Sequence, residues 1–183
     1  MALAPDIVDI LNEDHTTLRV LCSALVGGCT DGPTVHLELS DRLLRHEIAE
    51  ELVVYPVLLG YRGGAAVADG CLEDQASIER RLLLLGRQEP GTKEFKRISV
   101  ALVCELLAHL DQEDSQVLPI LASRLSRLRR TEMGAKFREI IQVAPPHLLP
   151  EGVRVATGPT VVDRTSALSV WMRDVAAASG LAG

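Results

Sequence analysis

The sequence is poor in aromatic residues and carries no excess of basic charge. Aromatics fill 3% of its 183 positions. β-Branched runs are scarce outside the C-terminal tail and Leu and Ala are abundant, so a sheet-based fold is disfavoured and helices are expected. The formal net charge is −6, and no basic stripe interleaved with aromatics supplies the footprint of a nucleic-acid binder. The arginine-rich stretch Arg124 to Arg130 reads as a solvated helix end. No apolar run reaches the roughly 18 residues that a membrane span requires. Met1 to Asp6 hold no basic region ahead of an apolar block, which predicts a chain without a secretory signal, in the cytoplasm. The four cysteines, Cys22, Cys29, Cys71 and Cys104, form no CxxC motif. A chain of this length needs no staples, so they read as reduced core or surface thiols rather than as zinc ligands or disulfides.

What the chain does contain is helical periodicity over a length that suits one domain. A first helix is predicted from about Pro5 to Val26, ending at Gly27-Gly28. A second starts near Pro33 or Thr34, carries Leu37, Leu39, Leu43, Leu44, Ile48 and Leu52, and runs to Pro56, with a final turn beyond it. Gly60 to Gly70 reads as a linker. A third helix spans about Leu72 to Gly86, and a fourth about Thr92 to Leu118, with a kink or break at Pro119 and helical pattern resuming to about Arg130. Four helices on short connections predict an all-α, up-down-up-down four-helix bundle over residues 1–143. Residues 144–183 read as an irregular extension packing on the bundle: a Pro-rich segment with His147 in a loop, a stretch from Val153 to Val162 that reads as extended, and a short helix capped by Asp163.

An internal repeat carries the chemistry. His46-Glu-Ile-Ala-Glu50-Glu-Leu-Val-Val-Tyr-Pro56 and His109-Leu-Asp-Gln-Glu113-Asp-Ser-Gln-Val-Leu-Pro119 match at an offset of 63 residues. Upstream, Glu13-Asp14-His15-Thr-Thr-Leu18 matches Glu73-Asp74-Gln75-Ala-Ser-Ile78 at an offset of 60. The chain therefore reads as one helix pair used twice. Residues i and i+4 of a helix lie ~40° apart and ~6 Å along the axis, so His46 with Glu50, and His109 with Glu113, can each grip one ion. Antiparallel packing brings His15 or Gln75 to the same level. Glu47, about 100° round from His46, reaches toward a second ion. Nitrogen and oxygen donors without thiolate suit iron or manganese better than structural zinc. A single HxxxE is ordinarily a solvated pair on a helix surface. Two at one offset, each followed by Pro ten residues after the His, are not. The run is neither the HExxH of zinc proteases nor the Glu-x-x-His of ferritin-like sites. His36 falls outside the pattern and reads as surface.

These residues resemble the hemerythrin-like, HHE cation-binding domain family: a lone His, then HExxE, then a second lone His, then HxxxE, over about Asp6 to Leu125. Within that family the chain looks similar to actinobacterial, particularly mycobacterial, members. The resemblance implies a non-haem centre of two iron ions with an oxo or hydroxo bridge. His15, His46, Glu47, Glu50, His109 and Glu113 match ligand positions, with Glu50 and Glu113 bridging or flanking the irons and Glu47 binding the iron opposite His46. Gln75 departs from the pattern by standing where the family has its third-helix histidine. An amide is a poor iron ligand, so Glu79, one turn later, or a residue of another helix is expected to complete that iron. Tyr55 is the favoured candidate. On an ideal helix it extends the Glu47–Glu51 stripe, with its phenol leaning back toward Glu51 and Glu50; its plainer reading is a core aromatic. Tyr61 in the glycine linker is a weaker candidate.

An oxygen-rich donor set stabilises ferric iron and disfavours reversible oxygen carriage. The resemblance therefore implies catalase-like decomposition of hydrogen peroxide in oxidative or nitrosative stress. The alternative is a module that binds or senses dioxygen, nitric oxide or iron without turnover, and a third reading is a helical interaction domain with idle ligand remnants. Small molecules are the expected partners, with no nucleic acid, no membrane, and a monomer or homodimer.

Overall fold

The computed structural model describes residues 4–27 and 32–144, and among them every residue outside caps and short turns is helical. Helix α1 spans Ile7–Val26. It begins at Asp6, whose carboxylate accepts the Val8 and Asp9 N–H groups while its own N–H donates to Asp9 Oδ2 at 3.0 Å. This reciprocal capping box satisfies donors that the first turn leaves open. Helix α2 (Gly32–Val53) is followed by a single helical turn, α3 (Tyr55–Leu58), and then by α4 (Gly64–Gly86). Thr92 caps α5 (Lys93–Gln112) by accepting the Phe95 N–H. A π-helical turn at Glu113–Val117 leads into α6 (Leu118–Arg124), and Ser126 caps a last helix, α7 (Arg127–Val143).

The order of apolar residues along each helix shows how the bundle is threaded. One buried cluster holds Ile7, Leu11, Val53, Leu72 and Val117, and the other holds Leu18, Leu25, Leu39, Leu43, Ile78, Leu82, Leu102 and Leu110. Helix α1 runs from the first cluster to the second, α2 returns, α4 goes out again and α5 returns. The direction alternates as expected for up-down-up-down topology, and α1, α2, α4 and α5 pack on one another in a closed ring. Where each helix passes between the clusters it contributes buried polar side chains: His15, His46, Glu47, Glu50, Gln75, His109 and Glu113. The site is thus a polar layer across the middle of an otherwise apolar bundle.

The repeat is visible as two equivalent breaks. Pro56 and Pro119 have no N–H to give, and each ring crowds the carbonyl four residues back. The first strain is relieved at Val54, between α2 and α3. The second is relieved by the π-turn, where the Leu118 N–H bonds to the Glu113 carbonyl. Pro119 therefore lies in the first turn of α6, and the irregularity precedes it.

Several expectations need correction. The glycine linker is shorter than Gly60–Gly70, because α4 starts at Gly64. Gly63 has φ of 81°, open to glycine at little cost, and a Cβ on Gly64 would lie 1.9 Å from the Leu58 carbonyl oxygen. Glycine is used here to turn the chain tightly, and helix resumes at once. Leu37 is exposed and His36 is half-buried rather than on the surface. The helical pattern does not continue to Arg130. It stops at Arg124, Leu125 is extended, and α7 is a fifth long helix lying against α1 and α2. Arg130 is no solvated helix end, since its guanidinium donates to Asp6 Oδ2 at 2.9 Å and pins α7 to the start of α1. Apart from Ala144, the extension 144–183, with His147, the stretch Val153 to Val162 and the Asp163-capped helix, lies outside the described residues.

Helix α7 approaches α1 closely at Gly134, where a Cβ would meet Ile10 Cδ1 at 2.8 Å, Ile7 N at 3.1 Å and the Asp6 carbonyl carbon at 3.2 Å. Overpacking of this kind costs about 1–3 kcal/mol. Gly134→Ala is expected to lower the urea midpoint accordingly, and an unchanged midpoint would show that α7 does not dock tightly at this point.

Candidate metal centre

Each histidine of the polar layer faces a carboxylate on its outer side, and for His15 and His46 the two are hydrogen-bonded. His15 Nδ1 lies 2.7 Å from Asp114 Oδ1, and the other oxygen of Asp114 receives Arg19 at 2.7 Å. His46 Nδ1 faces Asp14 Oδ2 at 3.4 Å, with Asp14 held by Arg42 at 2.6 Å. His109 Nδ1 lies 3.9 Å from Asp74 Oδ2. Asp14 and Asp74 are repeat equivalents, so both HxxxE histidines look back at the aspartate of the preceding helix. A carboxylate hydrogen-bonded to Nδ1 draws a proton to that nitrogen and turns Nε2 toward a ligand, as it does at His15 and His46.

All three Nε2 atoms face inward onto carboxylates. His46 Nε2 is 3.2 Å from Glu50 Oε1, while His15 Nε2 and His109 Nε2 are each 3.5 Å from Glu113 Oε2. The remaining carboxylate oxygens are bound by Tyr55 and Gln75. Tyr55 O–H donates to Glu113 Oε1 at 2.8 Å and lies 3.3 Å from Glu50 Oε2. Gln75 Nε2 donates to Glu50 Oε2 at 3.1 Å and to the Tyr55 oxygen at 2.6 Å. The break at Val54 brings the phenol here, whereas an ideal continuation of α2 turns it toward the Glu47–Glu51 stripe.

One ligand atom each from His15, His46, Glu50 and Glu113 fall within 4.8 Å of one another, and so do one each from Cys71, His109 and Glu113. Glu113 belongs to both groups. Glu47 belongs to neither; it is buried, with both oxygens lacking a hydrogen-bond partner. Glu79 is half-buried on α4, close enough for its charge to act on Glu47. Tyr61 is half-buried in the turn before α4, and its N–H bonds the Leu58 carbonyl. Sequence reasoning missed Cys71, which it read as a core or surface thiol. The signal was present, because Cys71 precedes Gln75 by one helical turn on the same face.

The electrostatics are those of a site built for added positive charge. Burial raises the Glu47 carboxyl well above its ordinary range, and Glu79, Glu51 and Glu50 push it further. Burial, then Glu50, raises Glu113 to about 7. Burial lowers His15 and His109, whereas at His46 it is outweighed by Glu50, Asp14 and Glu113, which raise that imidazole. Tyr55 and Cys71 are both raised by burial and then by Glu113 and Glu50. The layer also holds buried polar atoms without a hydrogen-bond partner: Nε2 of His15 and His46, both nitrogens of His109, both oxygens of Glu47, Oε2 of Glu113 and Oε1 of Gln75. Buried polar atoms are ordinarily satisfied. Orphaned imidazole nitrogens and carboxylate oxygens converging on one layer fit a cation of the nitrogen- and oxygen-binding kind. Phe137 of α7 stands edge-on to His46 with centroids 5.7 Å apart and closes that side of the layer.

A helical bundle with this donor set belongs to the class of cation-binding four-helix proteins. The family model of the Hemerythrin HHE cation binding domain matches residues 6–121, and the chain is a member of that family. It is 25% identical over 135 residues to an uncharacterised hemerythrin-like protein of Schizosaccharomyces pombe, an alignment covering 73% of this chain and 66% of the relative. The chain thus aligns with a little under two thirds of that relative's length. No solved structure matches. Among the described residues no helix is long and apolar enough to cross a membrane.

The strain of the uncompensated carboxylates is measurable without a metal. A carboxyl whose folded-state pKa is raised retains its proton better folded than unfolded, so stability falls as pH rises above the unfolded value of 4.5 toward the raised one. In chelator-treated protein Glu47→Gln is expected to be more stable than the parent at pH 8 by about 1–3 kcal/mol, with the difference shrinking toward pH 4. An equal stability at both pH values would show that Glu47 finds compensation in the metal-free protein.

Proposed function

We propose that the chain is a non-haem di-iron protein that decomposes hydrogen peroxide. The observation that supports two ions is the sharing of Glu113 between two groups of ligand atoms, one with His15, His46 and Glu50, the other with His109. His15, His46, His109, Glu50 and Glu113 are the proposed protein ligands, with Glu50 and Glu113 bridging or flanking the pair. Glu47, buried with both oxygens unpartnered, is a proposed additional ligand. Tyr55, whose phenol already touches both central carboxylates, is a proposed ligand in place of the missing third-helix imidazole. Gln75 then acts as a donor that positions the phenol and Glu50, not as a ligand, and Glu79 is the lesser candidate.

When bound, a pair of irons supplies redox chemistry and a template for an oxygen substrate. The protein's own part is to hold these carboxylates at fixed separation, to orient His15 and His46 through Asp114 and Asp14 so that each presents Nε2, and to exclude bulk water with Phe137 and the two apolar clusters. The net reaction converts two molecules of hydrogen peroxide to two of water and one of dioxygen. Support for peroxide as substrate comes from the oxygen-rich donor set left by Gln75 and from family analogy. Binding of dioxygen, nitric oxide or iron without turnover is the alternative outcome.

Aerobically purified protein is expected to contain about two irons per chain and to show a visible tyrosinate-to-iron band. His46→Ala or His109→Ala is expected to lose at least one iron while remaining helical, and Tyr55→Phe to lose the band. Unchanged iron in both histidine variants would sink the centre; an unchanged spectrum in Tyr55→Phe would return Tyr55 to the core.

Turnover is tested separately. The iron-loaded protein is expected to release oxygen steadily from hydrogen peroxide and to form no lasting oxy adduct. A long-lived reversible oxy spectrum with negligible oxygen release would move the reading to binding.

A further inference from the structure

The two groups of ligand atoms differ in kind. The first is built from imidazole and carboxylate alone, while the second includes the Sγ of Cys71, within 4.8 Å of ligand atoms on His109 and Glu113. Cys71 lies on α4 at the repeat position occupied in α1 by Leu11, so the two halves of the bundle place unlike side chains at this level. Its surroundings are also unlike those of a packing cysteine. Cys22 sits in the purely apolar cluster of the bundle. Cys71 has Gln112 Nε2 donating toward its sulfur at 3.7 Å and faces an imidazole whose two nitrogens have no hydrogen-bond partner although His109 is 1% exposed. Glu113 Oε2, likewise buried and unpartnered, is directed at the same point. A sulfur, a bare imidazole nitrogen and a bare carboxylate oxygen converging in a closed layer make three donors for one cation.

We infer that Cys71 ligates the metal ion held by His109 and Glu113, making this one of two chemically unlike positions in the centre. The inference rests on the proposed two-ion centre and refines it. On binding, the S–H bond of Cys71 is exchanged for an S–metal bond and one proton leaves to solvent, as occurs when a metal takes a thiol ligand. The Gln112 N–H then serves as an outer donor to the coordinated sulfur. A thiolate softens the second position and favours metals that accept sulfur, while the first position, with only nitrogen and oxygen donors, does not share that preference. The two ions are therefore expected to bind with different affinities and to differ in electronic character. Gln75, which cannot supply an imidazole, is offset by a ligand one turn earlier on the same helix.

Cobalt(II) separates this proposal from the reading beneath it, because cobalt-thiolate bonds give a strong near-ultraviolet band that nitrogen and oxygen donors, tyrosinate included, do not. The metal-free 183-residue chain is titrated with cobalt(II), with bound metal counted after desalting and helicity followed by circular dichroism. The parent is expected to bind about two cobalt ions with the sulfur band appearing on one of them. Cys71→Ser is expected to keep its helicity and one tightly bound cobalt, to lose the band, and to hold the other ion about 10–100-fold more weakly. Cys22→Ser is expected to keep the band. Two bound cobalt ions without a sulfur band, or a band that survives in Cys71→Ser, would overturn the thiolate while leaving the two-ion centre intact. Failure of the parent to bind cobalt would overturn both. Should Cys71→Ser fail to fold, the absence of a sulfur neighbour around the iron in X-ray absorption of the iron-loaded parent overturns the inference independently.

Discussion

The polar layer holds more lone pairs than protons to share among them, and that shortage governs the rest of the structure. Glu50 and Glu113 are buried within a few ångströms of imidazole nitrogens of His46, His15 and His109, and Glu47 is buried with both of its oxygens unpartnered. Taking such groups from water is costly unless charge is neutralised and each polar atom finds a partner. Tyr55 and Gln75 satisfy two of the four oxygens of Glu50 and Glu113, and the raised carboxyls of Glu47 and Glu113 show how far that falls short. A bundle of this size tolerates the layer because apolar residues pack densely on both sides of it. Those two clusters supply the folding energy, and the layer between them supplies binding energy for a cation.

The same shortage explains the shell outside the layer. Arg19 and Arg42 do not reach the inner carboxylates; they hold Asp114 and Asp14, which in turn fix His15 and His46. Cationic side chains are thus kept one step away from the site, where they set tautomers without filling the place of an ion. Helix α7 contributes in the opposite way. Through Arg130 on Asp6 and Gly134 against α1 it docks closely enough to put Phe137 on the edge of His46. An aromatic ring there offers no competing donor or acceptor and keeps the local dielectric low, which strengthens every interaction inside.

Much of this was legible in the sequence because it rests on local periodicity. The i, i+4 spacing of His46 with Glu50 and of His109 with Glu113 fixes their common face whatever the tertiary details. The repeat added His15 and located Gln75 as the odd member. What escaped has physical causes as well. Helix α7 buries only Met133, Gly134, Phe137 and Ile140 among many charged residues, so its apolar stripe is narrow and the Arg-rich start disguised it. Its Ser126 cap was the available cue. Tyr55 could not be aimed from helix angles, since Pro56 breaks the helix that the angles assume. Asp14 and Asp74 stood inside the quoted repeat, yet a role on Nδ1 depends on interhelical geometry that spacing does not reveal. Cys71 was discounted because pairs of cysteines were sought, whereas a single thiol beside a histidine of another helix becomes visible only after packing.

Among the positions where the two repeats differ, three fall close together in the polar layer. Counting each helix pair against its copy, Leu11 stands opposite Cys71, His15 opposite Gln75, and Tyr55 opposite Leu118. Three polar members of these mismatched pairs meet at one side of the layer: Gln75 donates to Tyr55, the sulfur of Cys71 is near enough for its charge to act on the phenol, and both carboxylates shared with them are Glu50 and Glu113. The fourth, His15, lies with His46 on the other side, their rings 5.1 Å apart. A duplicated helix pair with identical ligands would give two equivalent positions. Here one half holds an imidazole where the other holds an amide, with a thiol one turn earlier, and the first half also places a phenol there from the break before Pro56. These differences lie around Glu50 and Glu113, so that in the proposed two-ion centre they would make its two positions unlike. In the proposed two-ion centre, asymmetry of this kind would let one ion be held firmly while the donors at the other set the chemistry, which a symmetric pair of sites does not provide.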